Sequence, residues 1–111
     1  MTGILYLCAT PIGNLGDLSP RAREILSTVD FIAAEDTRVT LKLLNFLELK
    51  KPLVSYYEHN KLESGPKIVR RIQDGETCVL VSDAGSPAIS DPGEDLVRLC
   101  AEAGLTVCAI P

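Results

Sequence analysis

The sequence predicts an α/β domain built on a five-stranded, mostly parallel sheet with helices on both faces. Three observations carry that prediction. Five short apolar runs recur roughly 25 residues apart, the length of one strand, one helix and their loops. The runs are apolar on both faces instead of alternating, as expected for strands covered from both sides. Between them the apolar residues switch to a helical period.

The runs are Ile4 to Ala9, Phe31 to Ala34, Leu53 to Tyr57, Cys78 to Val81 and Thr106 to Ile110. Ser19-Pro20 opens a first helix as N-cap and N1, with Ala22, Ile25 and Leu26 as its buried stripe. A second helix spans Thr40 to Leu47 and buries Leu43, Leu44 and Leu47. The third has two possible starts, a capping box at Asn60-Lys61-Leu62-Glu63 or a restart at Ser64-Gly65-Pro66. Its stripe is Ile68, Val69 and Ile72, and Asp74-Gly75 ends it with glycine at C′. The fourth runs from Pro92 to Ala103, with Asp91 as cap, Glu94 closing a capping box, and Leu96, Val97 and Cys100 inward.

Composition narrows the class. At 111 residues, 46% apolar and 23% charged, the chain has the size and make-up of one globular domain, and residues 1–111 are read as such. A net charge of −4 gives no basic face of the kind a stand-alone nucleic-acid binder carries, so any RNA contact needs local positive charge or a surface elsewhere. Cys8, Cys78, Cys100 and Cys108 lie in apolar runs without metal-ligand spacing and read as buried reduced thiols. Met1-Thr2-Gly3 leads straight into a strand pattern, without the basic region of a secretory signal, and no apolar run reaches the length of a membrane span. A cytoplasmic protein with no membrane partner is therefore expected. The last strand is followed at once by Pro111, which suggests a boundary between two domains.

In an open parallel sheet, ligands bind at the carboxyl ends of the strands. Each of the first four predicted strands ends in polar chemistry: Thr10 to Asp17, Glu35-Asp36-Thr37-Arg38, Glu58-His59-Asn60, and Ser82 to Glu94. Gly13-Asn14-Leu15-Gly16-Asp17 reads either as a tight turn or as a nest of N–H groups for an anion. It is neither a dinucleotide fingerprint nor a P-loop. In Glu35 to Arg38, Arg38 either pairs with a neighbouring carboxylate to order the chain or grips a phosphate while Glu35 or Asp36 accepts a proton. His59, the single histidine, reads as a cap or surface residue, with base or substrate ligand as the sharper alternative. Tyr56 and Tyr57 are expected to divide between the sheet faces, one of them available to stack on a base. Lys50-Lys51 and Arg70-Arg71 read as solvated charge. The loop after the fourth strand, Asp83 to Ser90, is stiffened by Pro87 and given freedom by Gly85, and it leads to a helix N-terminus.

Taken together, Ala9 to Asp17, Glu35 to Arg38 and Ser82 to Gly93 resemble the small-subunit ribosomal RNA methyltransferase I family of the tetrapyrrole (corrin/porphyrin) methylase superfamily. The resemblance covers essentially the whole chain and corresponds to the N-terminal domain of that family, without its second, C-terminal domain. Ala9 and Ser86 depart from the family's usual Gly and Thr by small changes. The resemblance implies S-adenosylmethionine (SAM) as methyl donor and the 2′-hydroxyl of a cytidine in 16S rRNA of the 30S subunit as acceptor, in a protein that is a homodimer at full length. It implies cofactor contacts at Pro11, Asp83, Ala84, Gly85, Ser86 and Ile89, and no metal. The Gly13, Asn14, Gly16 and Asp17 turn, with His59, would then face substrate, and Glu35, Asp36 and Arg38 would serve catalysis. The nearest rival reading is a superfamily enzyme that methylates a tetrapyrrole carbon. A rival of another class is a non-catalytic SAM-binding or structural half-domain.

Overall fold

A computed structural model of the chain describes residues 2–10, 15–82 and 91–110. The element order is β1 (Ile4–Ala9), a 3₁₀ turn at Leu15–Asp17, α1 (Pro20–Thr28), β2 (Phe31–Ala34), α2 (Thr37–Phe46), β3 (Leu53–Ser55), α3 (Lys61–Gln73), β4 (Cys78–Ser82), α4 (Asp91–Glu102) and β5 (Thr106–Ala109). The strands form one sheet in the order β3-β2-β4-β1-β5, with every pair parallel.

That order determines where the helices go. From β1 the chain moves toward one edge through β2 to β3, then reverses through β4 to β5. Right-handed crossovers therefore place α1 and α2 on one face and α3 and α4 on the other. The core divides accordingly. Cys8, Ile32, Val79 and Val81 pack with Ala22, Ile25 and Leu26 of α1 and with Leu43 and Leu44 of α2. Leu5, Phe31, Ala33, Cys78 and Leu80 pack with Ile68 and Ile72 of α3 and with Leu96 and Cys100 of α4. Alternate residues of one strand thus serve opposite layers, which is why β2 and the first four residues of β4 are wholly buried.

Local chemistry explains most boundaries. The Ala22 N–H donates to Ser19 Oγ at 3.1 Å and Pro20 takes the first helical position, as expected. Gly75 follows the α3 cap at φ +107°, a geometry that a side chain would oppose. Other expectations need correction. The second helix starts at Thr37, three residues before the expected Thr40, because Asp36 caps it. Strand β3 stops at Ser55, which leaves Tyr56 and Tyr57 beyond its end. The capping box at Asn60 does not form. Asn60 instead accepts the Tyr57 N–H at 2.7 Å and donates to the Ser55 carbonyl at 3.0 Å, while α3 runs unbroken through Pro66. The Asp91 side chain, and with it the expected Asp91–Glu94 box, lies outside the described set.

Two of the four charges expected to be merely solvated, Lys51 and Arg71, have partners at the amino end of the sheet. Arg71 forms a two-pronged pair with Glu76 at 2.8 and 2.9 Å and sits 3.7 Å from the centre of the Phe31 ring. Lys51 donates to the Val29 carbonyl at 2.8 Å. Cys8, Cys78 and Cys100 are buried and Cys108 half-buried. No helix among the described residues is long and apolar enough to cross a membrane.

Candidate active site

The carboxyl ends of four strands form one rim. Ala34 lies beside Ser55 on one side and Val81 on the other, and Ala9 lies beside Ser82. The segments that follow β1 to β4 therefore start from adjacent points, although they are far apart in the chain. At β1 and β4 the neighbouring strands send the chain to opposite faces, into α1 and α4. Such a divergence at neighbouring strand ends is the usual ligand position in an open parallel sheet.

A buried threonine ties those two strand ends together. Thr10, 3% exposed, donates to the Ser82 carbonyl twice, from its backbone N–H at 2.8 Å and from its hydroxyl at 3.0 Å. The β1 end and the β4 end are thereby locked in register one residue past the ladder.

At the end of β2, Glu35 is half-buried and Asp36 is the N-cap of α2. The Asp36 carboxylate accepts the Arg38 N–H at 3.0 Å, and the Arg38 guanidinium donates to it at 3.3 and 3.4 Å. That guanidinium holds the Asp36 carboxyl below its ordinary range, and the Asp36 carboxylate in turn raises the pKa of Arg38. The Arg38 side chain remains 88% exposed, so it offers charge to the rim as well as to Asp36.

At the end of β3 the two tyrosines separate. Tyr57 is exposed and meets the exposed His59 edge-on, with ring centres 6.0 Å apart. Tyr56 is fully buried in the α3/α4 layer, and its hydroxyl donates to the Pro92 carbonyl in the first turn of α4. Burial pushes its phenol up to about 12, so it is a neutral donor at any physiological pH. Lys61 reinforces the junction, pairing with Glu58 at 3.1 Å and with Asp95 of α4. Those carboxylates raise its pKa, that of Asp95 first, while Lys61 lowers that of Asp95.

Of the candidate site residues, Glu35, Asp36, Arg38 and His59 all follow strands at this rim. Gly16 and Asp17 are exposed in the 3₁₀ turn that follows β1. Pro11, Gly13 and Asn14, and Asp83, Ala84, Gly85, Ser86 and Ile89, lie outside the described residues. Thr10 and Tyr56 stood out in the sequence only as part of a polar strand end and of a tyrosine pair, and neither their bonds to Ser82 and Pro92 nor the Lys61–Asp95 pair could be read there. The one signal was position: each residue lies at the end of a strand or the start of a helix on this rim.

The family profile of the Tetrapyrrole (Corrin/Porphyrin) Methylases matches residues 4–111. A protein of Synechocystis sp. named ribosomal RNA small subunit methyltransferase I is 55% identical over 109 residues, covering 98% of this chain and 39% of that protein. Proteins of the same name from Haemophilus influenzae and Bacillus subtilis are 50% and 53% identical, covering 100% and 98% of this chain and 39% and 37% of theirs. The chain thus spans about two fifths of the length of these relatives. Among solved structures, a diphthine synthase superposes with a TM-score of 0.76 at 15% identity, covering 97% of this chain and 43% of that one. A uroporphyrin-III-C-methyltransferase from Thermus thermophilus gives 0.74 at 18%, covering 100% and 48%. Identities that low speak for the fold alone. The profile match over nearly the whole length, on a sheet of matching fold, shows that the chain belongs to the tetrapyrrole methylase family.

Proposed function

We propose that this chain is the N-terminal, donor-binding domain of a SAM-dependent methyltransferase that modifies the 2′-hydroxyl of a cytidine ribose in 16S rRNA. The observation that carries the reading is the switch point at which neighbouring β1 and β4 send the chain to opposite faces, in a chain half identical to proteins named for methylating small-subunit ribosomal RNA. Those names favour RNA over a tetrapyrrole as acceptor. The 30S subunit as substrate particle, a second domain completing the site, a homodimer and a cytoplasmic location belong to the same proposal.

The described rim suits such a donor. Ala9, Thr10, Ala34 and Ser82 are small, and two carboxylates stand at the end of β2, a donor set matched to a cation. When bound, SAM supplies a methyl group made electrophilic by its sulfonium. The chain's task is then to fix geometry and handle a proton. The backbone of Pro11 and of Asp83 to Ile89 is assigned to holding the donor. Gly13, Asn14, Gly16, Asp17 and His59 are assigned to the acceptor side.

A ribose hydroxyl is a weak nucleophile, so a carboxylate beside it helps by accepting its proton. Asp36 is held in its charged form by Arg38 and the helix N-terminus, which makes it a poor proton acceptor. Glu35 is therefore assigned as proton acceptor, Asp36 as the group that orients Arg38, and Arg38 as a phosphate contact. In the full-length enzyme, Glu35→Gln is expected to slow methylation of 30S subunits on the order of 100-fold or more with SAM affinity retained. A methylation rate unchanged in the Glu35, Asp36 and Arg38 variants alike would remove the catalytic assignment.

A further inference from the structure

Two tyrosines adjacent in the chain meet opposite fates past the end of β3. Tyr56 is fully buried, whereas Tyr57 is 41% exposed, a large ring left in water at the rim. Its backbone is nonetheless fixed on both sides by Asn60. The Tyr57 N–H donates to the Asn60 side-chain oxygen at 2.7 Å, and the Tyr57 carbonyl accepts the Asn60 N–H at 3.0 Å. The Asn60 side chain in turn donates to the Ser55 carbonyl, at the end of β3. The edge-on contact with His59 takes up at most one face of the Tyr57 ring, so a flat aromatic surface is presented to solvent from a fixed backbone.

We infer that Tyr57 is a stacking platform for an unpaired base of the RNA, one that neighbours the methylated nucleotide. The inference rests on the RNA substrate proposed above. Position supports it. The Tyr56 N–H donates to the Ala34 carbonyl at 2.9 Å, so the chain at Tyr57 leaves the sheet beside Glu35 and Asp36, one strand spacing of about 5 Å away. Charge supports it too. A chain of net charge −4 has little general attraction for RNA, so part of the grip falls to a contact that salt does not screen. Glu58, the carboxylate next to Tyr57, is paired with Lys61 at 3.1 Å, which lessens its repulsion of a phosphate strand. The exposed Arg38 supplies a cation from the neighbouring strand end. An aromatic face beside a cation is the usual grip on unpaired nucleic acid. Tyrosine has few torsions to freeze, and the fixed backbone lowers the cost of binding further.

The test uses full-length protein and 30S subunits lacking the methyl group, with binding measured at several salt concentrations and SAM affinity measured separately. Tyr57→Ala and Tyr57→Leu are expected to weaken 30S binding roughly 5- to 100-fold, as loss of one base–aromatic stack does, with SAM affinity and melting temperature at the wild-type level. Tyr57→Phe and Tyr57→Trp are expected to bind within about twofold of wild type, because each keeps a ring face. Salt separates stacking from charge: Tyr57→Ala is expected to leave the dependence of affinity on salt unchanged, whereas Arg38→Gln reduces its slope by about 1. Phe46→Ala, which removes an exposed ring at the far end of α2, serves as the control and leaves 30S binding unchanged.

Wild-type affinity in Tyr57→Ala overturns the inference. So does wild-type affinity in Tyr57→Leu, since the contact would then be merely apolar, and so does equal weakening by Tyr57→Phe, which would assign the effect to the hydroxyl. Equal weakening by Phe46→Ala overturns it too, because the loss would not belong to the rim. A wild-type protein that neither binds nor methylates 30S subunits overturns the RNA substrate itself, a result distinct from the others.

Discussion

Asp36 shows how one side chain at a strand end can serve structure and chemistry together. Its carboxylate caps α2 and holds the Arg38 guanidinium. Substitution separates these tasks. Asp36→Ala removes cap and partner and is expected to cost about 1 kcal/mol in chemical denaturation. Asp36→Asn is expected to keep most of that stability, since asparagine caps as well, while freeing Arg38 and weakening RNA binding. Titration offers a second check. Asp30, Asp36, Glu76 and Asp95 are held below ordinary carboxylate values by hydrogen bonds from Thr77, Arg38, Arg71 and Lys61 respectively. What they add to stability is complete above the unfolded values of 3.8 and 4.5 and is lost as pH falls below them. At the other limit, burial raises Cys8 and Cys100 to about 11, and Cys78 and Tyr56 to about 12. The unfolded chain therefore releases protons first, from the ordinary thiol value of 9.0 upward, and stability falls from there to about 12. A melting-temperature profile is expected to be flat across neutrality and to drop on both sides. A profile still flat at pH 3 would contradict the carboxylate pairings.

Among the elements, α3 packs against α4, and Gly65 makes room for that contact. A Cβ at that position would stand 3.0 Å from Leu99 Cδ1 and 3.5 Å from Tyr56 Cε1. The Leu99 side chain is only half-buried, so Gly65→Ala is expected to be near neutral, the gain in helix propensity offsetting a small shift of Leu99. Gly65→Val is expected to wedge the helices apart at a cost of about 1–3 kcal/mol. Urea unfolding and calorimetry on the two variants check this. The same junction marks the limit of what the sequence shows. Runs of apolar residues located all five strands, and Ser19-Pro20 and Asp74-Gly75 located helix ends, because those signals are local. Asp36-Thr37 was mistaken for loop, since a carboxylate and a hydroxyl suit a cap and a catalytic loop equally well. The tasks of Thr10, Tyr56 and Arg71 depend on partners brought close only by the folded sheet, or, for Arg71, on a ring forty residues away.

For the molecule as a whole, the polar clusters after the strands were legible in the sequence, and the parallel sheet makes all of them start from one rim. What pattern could not supply was the strand order, which decides that β1 and β4 are the neighbours at which the chain changes direction. The 111-residue chain has a core on both sheet faces and is expected to fold cooperatively by itself. Without the rest of the site it is expected to bind SAM weakly if at all and to transfer no methyl group to 30S subunits. Robust turnover by this chain alone would show that one domain suffices.

The place of β4 between β1 and β2 also has a consequence for synthesis. As the chain leaves the ribosome, the first two strands emerge without being neighbours, and only β2 and β3 can pair early. The missing middle strand begins at Cys78, so the first strand stays without a mate while more than two thirds of the chain is made. A nascent chain paused before that point presents bare apolar strands, and it is there that a chaperone has most to shield.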